Sequence, residues 1–201
     1  MRKPFVRKSA DERRFEIIKE AYDILISKGY SELSLRGVSK KTGVSLSTVQ
    51  YHFSSKEKLV EALIEKRIEY YHSAYEEIEK LYASQGVKEK FISIIKYLVD
   101  DCSKRESCVF FTQMWAMSFI KKEYKYFIKL MYDYHIEYLK TEIKKVYPTL
   151  SDDEIADKAM AASCMIEGSL VHFGYGIRSL EETEKYKENL CRQLLKLFDF
   201  E

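Results

Sequence analysis

The sequence predicts an all-α protein, with an N-terminal three-helix helix-turn-helix head followed by a six-helix bundle. Three observations carry this. The 201 residues include only 7 glycines and 2 prolines, Pro4 and Pro148, too few turn formers for a chain of short strands. Apolar residues recur at helical rather than alternating spacing along most of the chain. Four Ser-x-x-Glu boxes, Ser9/Glu12, Ser54/Glu57, Ser151/Glu154 and Ser179/Glu182, mark helix starts. In such a box the two side chains satisfy backbone N–H groups that the first helical turn leaves unpaired.

The first helix starts at Ser9 and sets Phe15, Ile18, Ala21, Tyr22 and Leu25 on one face before Gly29 ends it. A short helix follows from about Leu35 to Thr42, capped by Ser34, with Leu35 and Val38 pointing inward. Gly43 supplies a sharp turn. A third short helix runs from about Ser45 to His52, with Val44 and Val49 toward the core of the head. The Ser54/Glu57 box opens a long helix through Leu59, Leu63 and Ile68 to about Tyr82, and Ala83-Ser84-Gln85-Gly86 breaks it. Helices are then expected from Val87 to about Cys102, from about Glu106 to Ile120, and from about Glu123 to Val146, the last stopped by Pro148. The next carries Ile155, Ala159, Ala162, Ile166, Leu170 and Phe173 on one stripe and ends at Gly174 and Gly176. The last shows Leu190, Leu194, Leu197 and Phe198. Domain boundaries are expected at 1–56 and 57–201.

Several function classes are disfavoured. The most apolar window, Val109 to Ile120, is about twelve residues long and interrupted by Thr112, Gln113 and Ser118, whereas a membrane span needs about twenty. No apolar stretch backs the basic N-terminus, so no secretory signal and no membrane partner are expected, and the expected location is cytoplasmic. The cysteines Cys102, Cys108, Cys164 and Cys191 are then reduced and match no zinc spacing. The histidines His52, His72, His135 and His172 fall on separate helices at no metal-like spacing. No GxGxxG, Walker, HExxH or GxSxG motif occurs. The expectation is a non-enzyme with no metal and no cofactor.

Charge is uneven. Residues 1–60 carry 13 Lys and Arg against 7 Asp and Glu, and the remainder 21 against 25. A basic head on a slightly acidic body suits a polyanionic partner. Two short helices around Gly43 form a helix-turn-helix, whose second helix offers its first residues to base edges in the major groove. There Ser45, Ser47, Thr48, Gln50 and Tyr51 are small or planar hydrogen-bonding groups. A glutamine can pair with an adenine edge and a threonine methyl can touch a thymine methyl. Lys56 opens the next helix, where a cation and a helix N-terminus together suit a phosphate.

The run Leu35-x-x-Val38 … Thr42-Gly43-Val44-Ser45-x-x-Thr48-x-x-Tyr51-His52-Phe53-x-x-Lys56-Glu57-x-Leu59, preceded by Ala21-x-x-x-Leu25-x-x-x-Gly29, resembles the TetR family of bacterial transcriptional regulators. The match covers about the first sixty residues, and the later helices agree only in number, length and order. The resemblance implies DNA contacts at Ser34, Ser45, Ser47, Thr48, Gln50, Tyr51, His52 and Lys56. One position departs: such proteins usually carry Tyr, commonly on a phosphate, where this chain has Gln50. Gln50 can read a base instead, or Tyr51 can take the phosphate.

In the body, the segment from Cys108 to Phe119 is apolar nearly all round, as in a buried helix. It serves either as plain core or as the wall of a ligand cavity lined by Phe110, Met114, Trp115 and Met117, with Gln113 as a polar fixing point. The resemblance favours the cavity. Glu167 lies among apolar neighbours and needs a partner. It joins either a structural network near a dimer seam or a cationic or hydrogen-bonding ligand, and Trp115 with Glu167 would suit an organic cation. His135 is expected as a satisfied core or surface histidine. The apolar stripes of the last two helices leave one face too many for a monomer and point to a four-helix homodimer interface. The whole reads as a repressor that binds palindromic operator DNA as a homodimer and responds to a small apolar or aromatic effector. The alternative is a TetR-like DNA-binding protein without an effector, whose body binds a protein partner. A void around Trp115 separates the two.

Overall fold

The structure, a computed structural model, describes residues 9–173 and 176–200. The described residues are helical with short connections and contain no strand. They form two compact units, Met1–Arg67 and Ile68–Glu201.

The first unit comprises α1 (Ala10–Lys28), α2 (Leu35–Thr42), α3 (Leu46–His52) and the start of α4 (Lys56–Leu81). The Ser9/Glu12 box caps α1: Ser9 N–H donates to the Glu12 carboxylate at 2.7 Å and Glu12 N–H to Ser9 Oγ at 3.1 Å. The inward face of α1 is Ile17, Ile18, Ala21, Ile24 and Leu25. Phe15, expected on that face, is 56% exposed, with the Lys66 ammonium 5.4 Å from its ring. The buried stripe is centred on Ile17–Ala21–Ile24, and Phe15 falls at its margin. Val38, Val49, Phe53, Leu59 and Leu63 complete the core, while Leu35 and Val44 are half-buried.

Gly43, between α2 and α3, has φ 70° and ψ 11°, a left-handed conformation that costs glycine least. Ser39 Oγ donates to the Val44 carbonyl at 2.7 Å and fixes the far side of the turn. The cap of α4 falls one residue later than the Ser54 box implies. Ser55 supplies the carbonyl for the first intrahelical bond, from Leu59 N–H, and its Oγ accepts from Lys58 N–H at 3.2 Å.

The second unit holds the rest of α4 with α5 (Val87–Ser103), α6 (Arg105–Ile120), α7 (Lys122–Val146), α8 (Asp152–Phe173) and α9 (Leu180–Leu197). α5 packs on α8 and α9, and α7 on α6 and α8. The capping boxes at Ser151 and Ser179 both form. Of the two glycines expected to end α8, Gly174 lies outside the described residues and Gly176 has φ 80°. Beyond α9 the chain folds inward. The Phe198 ring meets Phe91 of α5 edge to face at 4.8 Å, and Phe200 lies 6.1 Å from the same ring. Complete burial of Phe91 and Phe198 stabilises the unit by about 1.5–3 kcal/mol for each ring. Lys158 Nζ donates to the Leu197 carbonyl at 2.7 Å, a cation at the end of α9.

α6 is not buried all round as expected. Ser107, Cys108, Phe110, Phe111 and Met114 are inside. Its last turn emerges, and Phe119 and Ile120 are 89% and 74% exposed.

Candidate functional site

The head offers one polar reading surface. Val49, fully buried, anchors α3. On other faces of the helix Ser47, Gln50 and Tyr51 are exposed, and Thr48 and His52 are half-buried. Tyr51 is 83% exposed, with its ring edge-on to His52 at 5.3 Å. Ser45 is the N-cap: its Oγ accepts from Thr48 N–H at 3.1 Å and lies within 2.9 Å of Ser47 Oγ and 2.8 Å of Thr48 Oγ1. The three hydroxyls thus form one cluster at the start of α3. Ser34 caps α2 in the same way, accepting from Gly37 N–H at 3.0 Å.

Lys56 has an occupation that sequence alone does not reveal. Its ammonium donates to the Tyr30 carbonyl at 2.7 Å and lies 3.6 Å from the Tyr30 ring centroid. This cation–π contact ties the chain after α1 to the start of α4. No helical spacing links residues twenty-six apart, so the sequence carried no signal for it. Arg36 and Lys40, absent from the expected contacts, stand exposed on α2. Lys41 instead pairs with Glu20 and Asp23 at 3.0 and 3.5 Å.

The second unit contains a small, largely enclosed cavity of about 20 Å³, lined by Tyr71, Tyr75, Phe111, Tyr132, Tyr134, His135 and Glu167, among others. That is room for about one water molecule. A separate open groove of about 470 Å³ is lined by Trp115, Tyr132, Glu137, Met160, Cys164 and Glu167, among others. Tyr132 and Glu167 border both spaces. Two hydrogen bonds in series run along this border. Trp115 Nε1–H donates to the Tyr132 hydroxyl at 2.7 Å, and that hydroxyl donates to Glu167 Oε2 at 2.9 Å. Burial, then the adjacent Glu167 charge, pushes the Tyr132 phenol far up from its ordinary value, so it remains a proton donor.

Of the six residues expected at a ligand, the structure brings Trp115 and Glu167 together through Tyr132. Phe110 and Met114 are fully buried, and Gln113 and Met117 are half-buried; none of the four lines the cavity or the groove. The stripe of α6 that reaches these spaces is Phe111–Trp115, one residue on from Phe110–Met114. A helix apolar on every face gives the sequence no basis for choosing between those phases.

Two polar groups inside the second unit, the His135 imidazole and the Asp101 carboxylate, were not foreseen as such. His135 is not a satisfied histidine: its Nε2 is buried without a hydrogen-bond partner, and burial pushes the imidazole down to about 4. It is therefore neutral at pH 7. Asp101 is buried and accepts from the hydroxyls of Tyr71 at 2.8 Å and Ser107 at 2.7 Å. Burial pushes the Cys102 thiol well up, which leaves it unreactive.

Residues 17–63 match the sequence model of the bacterial regulatory proteins of the tetR family. The match is confined to the head, which is similar in sequence to the DNA-binding part of that family. No curated protein sequence matches the chain. Solved structures that share its fold include the following three. A TetR transcription regulator from Haloarcula marismortui is 17% identical, with a TM-score of 0.77 over 94% of this chain and 97% of that one. A transcriptional regulator from Saccharomonospora viridis, solved in complex with choline, is 17% identical, with a TM-score of 0.70 over 90% and 96%. A protein from Clostridium perfringens described as a fatty acid metabolism regulator is 18% identical, with a TM-score of 0.63 over 88% and 97%.

The head combines a short capped helix whose outward groups are neutral hydrogen-bonding side chains with exposed cations on the preceding helix, features that suit duplex DNA. Among the described residues no helix is long and apolar enough to cross a membrane. No group of three His, Cys, Asp or Glu among them is placed to hold a metal ion.

Proposed function

We propose that this TetR-family transcriptional regulator is a repressor that binds palindromic operator DNA as a homodimer and is released by a small effector held in its second unit. The observation that carries the reading is the outward face of α3. Ser47, Thr48, Gln50 and Tyr51 are uncharged donors and acceptors, and the solvated Tyr51 ring is left without a core to pack into. On this reading Gln50 meets a base edge. Tyr51 and His52 flank it, and Ser34, Ser45 and Lys56 lie toward the phosphates. Pairing is supported by the second half of α8, where Gly168, Val171 and His172 are exposed beyond the groove. A side chain at Gly168 would meet nothing within 4 Å, so a second helix can approach closely there. Two such faces, with the exposed Leu180 and Tyr186 of α9, give a four-helix interface.

The effector would act by binding more tightly to a state whose two heads do not fit the operator. α4, whose residues belong to both units, is the covalent path for that shift. The structural relatives support an effector but not one kind: one was solved with choline and another is described in terms of fatty acid metabolism. A second reading, a DNA-binding protein with a protein partner and no effector, draws on the small volume of the enclosed cavity, about 20 Å³.

The test is binding to labelled DNA from upstream of the protein's own gene, against scrambled DNA, at several salt concentrations. A preference of about a thousandfold or more establishes an operator. Equal, steeply salt-dependent binding to both would mean backbone contacts alone and would defeat the reading.

A further inference from the structure

The chemical class of the effector follows from the charges around Tyr132 and Glu167, on the reading just given that the second unit holds one. Among the described residues, the groove walls carry the carboxylates Asp133, Glu137 and Glu167 and no Lys, Arg or His; Asp133 is paired with Lys129 and Glu137 with Lys140, whereas Glu167 accepts from the neutral Tyr132 hydroxyl. The enclosed cavity adds only His135, which is neutral at pH 7. An anionic effector would therefore be desolvated without a counter-charge on these walls, a cost of several kcal/mol. A neutral one would gain little from the charge of Glu167, whose oxygen already accepts from Tyr132.

The aromatic content points the same way. Trp115 and Tyr132 face the groove, and Tyr71, Tyr75, Tyr132 and Tyr134 face the cavity. Indole and phenol faces attract cations, more strongly when water is excluded. Between the two spaces the Tyr132 hydroxyl donates to Glu167. Rotation of that one side chain would exchange a neutral donor for whatever enters the groove, and would join the groove to the cavity behind it. There the buried His135 Nε2 waits without a partner, a polar anchor for a ligand hydroxyl or N–H.

We propose that the effector is an organic cation of the substituted-ammonium class, which displaces the Tyr132 hydroxyl from Glu167 and seats its charge against that carboxylate and the rings of Trp115 and Tyr132. The Trp115–Tyr132–Glu167 series is then a latch. It stays closed by hydrogen bonds from neutral donors when the site is empty and is opened by a cation that competes better for the carboxylate.

Trp115 is the only tryptophan, so its emission reports on the latch directly. The intact protein is titrated with choline and with phenyltrimethylammonium, at ionic strength matched with sodium chloride. Their uncharged isosteres, 3,3-dimethylbutan-1-ol and tert-butylbenzene, and the anion decanoate are run in parallel. A saturable change with at least one cation, about tenfold or more tighter than with its isostere, is expected. Glu167→Gln keeps the shape and an acceptor for Tyr132. It should weaken the cation about tenfold or more while leaving the isostere unchanged. Tyr132→Phe keeps the ring but removes the competing hydroxyl, and should bind the cation at least as tightly as the parent. The proposal is overturned by equal affinity for cation and isostere, by preference for decanoate, by an unchanged Glu167→Gln, or by no saturable response to either cation. Release of operator DNA is scored separately. A neutral or anionic compound that releases DNA sinks the cation assignment and leaves the regulator standing, whereas absence of operator binding sinks the regulator without touching the fluorescence result.

Discussion

His135 makes the second unit acid-sensitive, by an amount that can be worked out. Its Nε2 is buried without a partner, and burial pushes the imidazole from an ordinary value of 6.5 down to about 4. Between those two values the unfolded chain binds the proton and the folded chain does not. Stability is therefore full above about pH 6.5 and falls as the pH drops toward 4. From pH 7 to pH 5 this one group should cost about 2 kcal/mol, at about 1.4 kcal/mol per pH unit below 6.5. The carboxyls of Glu154 and Glu182, held low by their capping serines, add acid losses of their own at lower pH. The measurement is thus a difference: urea unfolding of the parent and of His135→Phe, at pH 7 and pH 5 and one protein concentration. Phenylalanine keeps the ring, borders the same small cavity and takes up no proton. The variant should lose about 2 kcal/mol less than the parent over that interval. Equal losses in the two proteins would refute the argument and mean that the imidazole is solvated or partnered in solution.

Gln50→Ala should relax preference at one or two operator base pairs by about 1–3 kcal/mol in a selection or competition assay; uniform weakening across all sequences would remove Gln50 from base reading. Lys56→Met keeps an apolar stem over Tyr30 but loses the charge, and should weaken binding to any duplex while lowering the salt slope by about one. An unchanged slope would confine Lys56 to its contact with the Tyr30 carbonyl. Gly168→Trp places a large ring on the exposed face of α8, and sedimentation should then show monomer with helicity intact. A persistent dimer would put the interface elsewhere.

The helices were legible because their signals are local. Three of the four Ser-x-x-Glu boxes form where the sequence puts them, and the Ser54 box misses by one residue because Ser55 offers the same hydroxyl one position on. Gly43 was legible because only its left-handed backbone lets two short helices meet at that angle. Contacts between distant segments were not legible. The ammonium of Lys56 on Tyr30, the Tyr132 bridge between Trp115 and Glu167, and the isolation of His135 all depend on which helices become neighbours. α6 shows the physical limit most directly. Apolar on nearly every side, it gives no amphipathic direction, so the choice of Phe111–Trp115 over Phe110–Met114 is made by its neighbours.

The inward turn of the chain after α9 has a consequence for synthesis. Phe91 finds its partners Phe198 and Phe200 more than a hundred residues later, so the interior of the second unit cannot close until residue 200 has left the ribosome. At roughly 5–20 residues per second, the bare bundle waits several seconds for its last two rings. The head has no such dependence, since its buried side chains lie between Ile17 and Arg67. A nascent chain can thus hold a finished head while the second unit is still unassembled, and a ribosome stalled over α9 would leave it in that state.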